Sequence, residues 1–276
     1  MASFGGILAG TDLIIDKHLL GAPDKNRSYR HKREVLRLRQ TPSQLDAAEM
    51  LRMLVKQIQG NLGNRDSLSI GNSSENWREE KKPNHSENNT SNETCLERKL
   101  VQALTRADRV DWWNQMPIAS GLVGVHADRR RAIDLVHRCD GEENRYELVE
   151  LKVDSDTPLF ALMEIVLYGL VYLVLRKDRD WLPPISRTAK VFDARSVGLR
   201  VLAPKEYYAR YKLRWLEQAL NRALPGIIAE RQLGTSLAMK VSSHWPIQLK
   251  KWDEAILKSD SRLLSCLRKW EPAFPS

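Results

Sequence analysis

The sequence predicts an α/β protein preceded by an N-terminal helical extension, and three observations carry that reading. Short apolar segments of strand character alternate with longer segments whose apolar residues fall at helical spacing. Their order from about residue 93 is helix, strand hairpin, helix, strand, helix, which is an α/β plan. Hydrophobic residues make up 42% of the 276 and charged residues 29%, an ordinary globular composition that can bury a substantial core.

Residues 1–60 are read as a basic, helical region. "KNRSYRHKREVLRLRQ" precedes "TPSQLDAAEMLRMLVKQIQG", where Thr41 suits an N-cap, Pro42 the first helical position and Gly60 the stop. Leu45, Met50, Leu51, Leu54, Val55 and Ile58 form a helical stripe, so this helix packs on another element. Residues 61–92 are poor in apolar residues and have no sustained period, which predicts a flexible linker or long surface loop. Residues 93–276 then form the main domain.

In that domain "ETCLERKLVQALTRA" places Leu96, Leu100, Val101 and Leu104 on one helical face. "DWWNQMPIA", "RAIDLVHR" and "YELVELKV" read as strands, the last two joined as an antiparallel hairpin through the Asp140-Gly141 pair. A long apolar helix, "TPLFALMEIVLYGLVYLVLRK", follows. Only Glu164 is charged between Leu159 and Leu175, and this run falls short of the ~20 residues that span a bilayer. A buried core helix is expected, with a membrane anchor over 159–175 as the lesser alternative. After Pro183-Pro184 come the strand "SVGLRVLAP" and the helix "KEYYARYKLRWLEQALNRAL", which is amphipathic, basic and aromatic. A strand "SLAMKVSS" and a helix from about Trp252 to Trp270 complete the chain.

A net charge of +9 and a pI near 9.5 make an anionic partner plausible, nucleic acid before an acidic membrane surface. Three scattered cysteines form neither a disulfide framework nor a zinc motif, and "MASFGGILAGTDLIIDKHLL" lacks an export signal. The expectation is a cytoplasmic protein with reduced thiols. A Gly-rich phosphate loop, a Gly-x-Ser-x-Gly elbow and a Cys-x-x-Cys pair are all missing from the sequence, which argues against those classes.

The chemistry-bearing residues interrupt the hairpin. Alternation along a strand sends Glu150 and Lys152 one way and Val149, Leu151 and Val153 the other. Asp134 likewise opposes Ile133 and Leu135, and a modest turn brings it beside Glu150. Two adjacent carboxylates repel unless a cation lies between them, and Mg²⁺ prefers oxygen ligands.

"IDLV", followed after a short turn by "ELK" on a strand and then by a helix, resembles the PD-(D/E)xK nuclease superfamily. The resemblance covers roughly residues 93–205 and implies a restriction-endonuclease-like core, a mixed central sheet flanked by helices. It implies Asp134 and Glu150 as metal ligands, the backbone carbonyl of Leu151 as a further ligand, and Lys152 as the catalytic lysine. It also implies a glutamate on the preceding helix, with Glu97 the better candidate and Glu93 the weaker. On the following helix, Glu164 stands where the family often has glutamine, one turn before Tyr168. Ile133 stands where the motif's name has proline.

The activity so implied is Mg²⁺-dependent phosphodiester hydrolysis, with Mn²⁺ as the alternative ion and DNA as the favoured substrate. Arg129, Arg130 and Arg131, just before the Asp134 strand, are candidate phosphate contacts. So are Arg210, Lys212 and Arg214, which share the aromatic helix with Tyr207, Tyr208, Tyr211 and Trp215. His126 and Asp128 are thinner candidates. A homodimer is compatible with this reading. The competing reading from another class is a nucleic-acid-binding or scaffold protein of the same fold that does not cut.

Overall fold

The alternating segments build one six-stranded sheet in the spatial order β1-β2-β3-β4-β5-β6. The strands are β1 (Trp112–Pro117), β2 (Ala132–Arg138), β3 (Arg145–Leu151), β4 (Ser196–Leu202), β5 (Ala238–Pro246) and β6 (Trp270–Pro272). β1–β2 and β2–β3 pair antiparallel, β3–β4 and β4–β5 pair in parallel, and β6 returns antiparallel to β5. The computed structural model describes residues 5–21, 27–63, 75–84, 88–123, 131–139, 144–231, 237–246 and 254–274. Asp140 and Gly141 lie outside the described residues, but the hairpin they were read to close is present.

The helices, in chain order, are α1 (Thr11–Leu20), α2 (Lys32–Arg37), α3 (Ala47–Gly63), α4 (Asn92–Arg106), α5 (Pro158–Lys177), α6 (Pro184–Arg187), α7 (Lys205–Tyr208), α8 (Arg214–Glu230), α9 (Glu254–Leu257) and α10 (Asp260–Cys266). One face of the sheet carries Val136, Leu148, Val197, Leu199 and Val241 against α5, with α3 and α8 packed alongside. The other face carries Leu135, Val149, Leu151 and Leu202 against α4 and α10.

α5 is the element around which the larger core is arranged. Thr157 caps it by accepting from the Phe160 N–H at 3.2 Å, and Pro158 occupies its first turn. The helix is 20 residues long and apolar enough to cross a membrane, yet 94% of its most apolar window is buried inside the fold. Burial, rather than the length argued from the sequence, is what marks it as a core helix here. Gly169 lets it approach β4 closely, since a Cβ there would meet Leu199 Cδ1 at 2.5 Å. Leu199 is fully buried and has nowhere to retreat. Gly169→Ala is therefore expected to destabilise by about 1–3 kcal/mol, read as a lower urea midpoint at unchanged slope.

Several boundaries differ from expectation. α3 begins at Ala47, where Asp46 Oδ1 accepts the Glu49 N–H at 2.9 Å, so Thr41 and Pro42 lie upstream of the helix. Gly60 sits inside α3 on an exposed position and does not stop it. The segment read as one helix from Lys205 divides into α7 and α8. The hydroxyl of buried Tyr208 lies 3.0 Å from the carbonyls of both Val201 and His244, which share its one hydrogen, and the chain turns after it to lay α8 along β5 and α3. Residues 254–270 likewise divide into α9 and α10, with Ser259 capping α10 and Trp270 opening β6.

The segment read as a linker is partly built into the core. Trp77 is fully buried, its ring 5.2 Å from that of Phe192 and 5.7 Å from that of Tyr172, and its backbone N–H donates to Pro117 O at 2.8 Å. Residues 1–60 share the same hydrophobic core through Ile7, Leu19, Met50, Leu54 and Ile58.

Glu217, on α8, is buried with Oε1 accepting the Ser243 N–H at 2.6 Å. Burial pushes its carboxyl up to about 7, against the lowering effect of the Ser243 hydrogen bonds. Because the folded state prefers the protonated form, its stabilising contribution is complete below about pH 4.5 and lost as pH rises through about 7. The difference is about 3 kcal/mol. Glu217→Gln keeps an acceptor for Ser243, so the melting temperature should become higher at pH 8 and flatter between pH 4.5 and 8.

Candidate active site

The β2–β3 hairpin register, Leu135 against Val149, places Asp134 opposite Glu150. Both project toward α5, at the end of the sheet where the hairpin ladder stops. Asp134 itself ends the ladder, since its Oδ2 accepts the Leu151 N–H at 2.8 Å. Leu151 buries its side chain on the opposite, α4 face. The interruptions noted in the sequence are therefore not a solvated strand face: Glu150 is 5% exposed and Lys152 6%.

Lys152 leaves β3 with its N–H bound to Leu202 O at 3.0 Å. Its ammonium donates to Glu150 Oε1 at 2.8 Å and to Glu164 Oε2 at 3.4 Å. Tyr168, one turn along α5, donates to Glu164 Oε1 at 3.2 Å. Glu164 thus joins the strand residues in one cluster. Glu150 Oε2 is buried without a hydrogen-bond partner among the described residues.

Glu97 approaches from the α4 side and is 4% exposed. Its carboxylate accepts from Asn114 Nδ2 at 2.8 Å and Gln115 Nε2 at 2.7 Å, and Gln115 Nε2 also lies 3.5 Å from Asp134 Oδ1. Gln115 therefore links the helix glutamate to the strand aspartate. Glu93 does different work, binding the Val153 N–H and the Ser155 hydroxyl at the start of the following loop.

The electrostatics follow from this crowding of buried acids. Burial, and then the charge of Asp134, pushes Glu97 up to about 8. Burial pushes Asp134 up to about 6, opposed by Lys152 and by the Leu151 N–H. Burial and the neighbouring Asp134 raise Glu150 as well. Burial alone would lower Lys152, but Glu150 and Glu164 outweigh it and raise its affinity for the proton.

Asp134, Glu150, Lys152, Glu164 and Tyr168 line one cavity of about 400 Å³. Three further residues of its wall were not singled out from the sequence. Gln115 was hidden in a strand and adopts φ 45°, a left-handed backbone that a non-glycine residue holds only when its surroundings enforce it. Asp156, also left-handed at φ 57°, follows the motif by four residues. Arg30 comes from the N-terminal region, held by Asp12 at 2.9 Å and lying 4.6 Å from the Phe160 ring centre. Only its place in a basic run marked it, and charge runs are mostly solvated.

The proposed phosphate contacts divide. Arg129 and Arg130, with His126 and Asp128, lie outside the described residues. Arg131 donates to Gly5 O at 3.0 Å and ties the N-terminal segment down. Arg210, Lys212 and Arg214 are exposed and do not share a helix, since only Arg214 lies in α8. Arg210, with Tyr207 and Tyr211, lines a cavity of about 380 Å³ that also borders Asp156. Lys212 and Arg214 line another, of about 670 Å³, with Arg39, Tyr211 and Trp215.

Fold and site together define an α/β protein with a buried acid–lysine cluster at one end of its hairpin ladder. Comparison with family models, with curated proteins and with solved structures found no match.

Proposed function

We propose that the protein is a metal-dependent nuclease of PD-(D/E)xK type, with DNA as its favoured substrate. The observation that carries the reading is the convergence of Asp134, Glu150 and Lys152 on one cavity, from two strands and in the register the motif requires. The donor set suits Mg²⁺ or Mn²⁺. Two carboxylates crowd together, and one oxygen, Glu150 Oε2, is buried with no hydrogen-bond partner among the described residues. Asp134, Glu150 and the Leu151 carbonyl would hold the ion. When bound, it supplies polarisation of a phosphoryl oxygen and acidification of a coordinated water.

The chain's own groups account for the rest. Lys152 offers a fixed ammonium to orient the attacking water and to offset charge developing on the phosphoryl oxygens. Glu164 holds that ammonium from the α5 side and is itself held by the Tyr168 hydroxyl, and Gln115 fixes Asp134 relative to Glu97. Arg30 adds a guanidinium to the cavity wall. Arg39, Lys212 and Arg214, beside Tyr211 and Trp215, offer phosphate and stacking contacts farther along the surface.

A non-cutting nucleic-acid binder of the same fold is the second reading. It is favoured by one observation: the Lys152 ammonium already neutralises the cluster internally, donating to Glu150 and Glu164. Purified wild type, Asp134→Ala and Lys152→Ala should be incubated with duplex, single-stranded and branched DNA and with RNA, with and without Mg²⁺. Metal-dependent cleavage lost in both variants supports the nuclease. Binding without metal-dependent cleavage of any substrate leaves the binder.

A further inference from the structure

A second chemical constellation stands at the opposite end of the hairpin from the carboxylates. His137 Nε2 lies 3.0 Å from Asp111 Oδ2, and its Nδ1 lies 3.7 Å from the sulfur of Cys139. The roles of the two ring nitrogens follow from their neighbours. An ionised carboxylate only accepts, so Nε2 carries the hydrogen and Nδ1 of the neutral ring faces the thiol as an acceptor. The ring is held in this orientation by stacking on buried Trp112, with centroids 4.1 Å apart and planes 12° from parallel.

From this geometry we infer that Cys139 is a reactive thiol, activated by His137 and Asp111, and a site of modification by low-molecular-weight disulfides. The step balances within these groups. The Cys139 proton passes to His137 Nδ1, and the thiolate attacks one sulfur of a disulfide R–S–S–R. A new bond forms between Cys139 Sγ and that sulfur, the original S–S bond breaks, and the leaving thiolate takes the proton from His137. Asp111 stabilises the transient imidazolium and is a positioning residue.

Cys139 is half-buried rather than enclosed, and His137 borders a cavity of about 300 Å³. Other charged groups face the imidazole as well. Arg109 pairs with Asp111 at 2.6 Å, Glu147 stands across from His137 in the ladder, and Arg268 lines the cavity. The other two cysteines serve as internal references. Cys95 is also half-buried but has Arg98 at 3.6 Å and, among the described residues, no imidazole, and Cys266 is buried with its thiol pushed up to about 11.

The test is the rate of iodoacetamide alkylation at each cysteine of the intact protein between pH 5 and 9, resolved by peptide mass spectrometry. A thiol that gives its proton to a neighbouring imidazole holds more thiolate at mildly acidic pH, and gives back part of that gain as lower intrinsic nucleophilicity. Cys139 should therefore react several-fold faster than Cys95 at pH 6.5, and exchange with a small aromatic disulfide should show the same preference. His137→Gln should return Cys139 to the Cys95 profile, and Asp111→Asn should move it partway. A wild-type Cys139 profile that coincides with that of Cys95 overturns the inference without any variant. So does a low-pH profile that survives in a folded His137→Gln or Asp111→Asn protein. None of these readouts depends on nuclease activity.

Discussion

Asp134→Asn is expected to reduce Mg²⁺-dependent cleavage by at least roughly 10²-fold, the scale of losing one charge that stabilises the reacting centre. The same substitution should raise the melting temperature of the metal-free protein. Asparagine preserves an oxygen for the Leu151 N–H while removing a half-buried charge that faces Glu150. Adding Mg²⁺ should then raise the melting temperature of the wild type and leave the variant unmoved. Stability gained and activity lost together distinguish a functional acid cluster from a structural ion pair. A structural pair would lose stability when either partner was neutralised, and a melting temperature that falls in Asp134→Asn would count against the metal site.

Trp77→Ala is the largest expected effect on folding, a loss of about 3–5 kcal/mol by denaturant titration. The indole fills the space between Tyr172 of α5 and Phe192, and no neighbouring side chain can collapse into its volume without leaving its own packing. Trp77 also adopts φ 59°, which a bulky residue tolerates only under strong tertiary constraint. A loss below about 1 kcal/mol would mean that residues 75–84 are not part of the cooperative unit.

These two positions show what the sequence could and could not reveal. Asp134, Glu150 and Lys152 were legible because a strand has a strict period of two, so charges at i and i+2 must share a face. Glu164 and Tyr168 were legible because residues four apart on a helix are neighbours, and their contact follows from that spacing alone. The first five strands and the helix α5 could be read for the same reason, regular stretches with few competing signals, whereas the short β6 was read into the preceding helix.

Trp77 was not legible, since one aromatic residue in a polar run has no period. Arg30 and Gln115 were missed for a related reason. They reach the cavity from α1's neighbourhood and from β1, and nothing local to either residue encodes that meeting. The divided helices after Lys205 and Glu254 escaped notice because amphipathic spacing persists across a turn when both pieces face the same core.

The packing of α3 has a consequence for the protein's synthesis. Its apolar stripe rests on α5 and α8, and α8 ends about 170 residues after α3 does. At about 5–20 residues per second, a ribosome needs roughly 10–30 s to deliver that partner. During that interval the nascent N-terminal region carries Met50, Leu51, Leu54 and Ile58 without the surfaces that will cover them. Holding chaperones that bind exposed apolar segments should therefore engage this chain early, and release it only once α8 has left the exit tunnel.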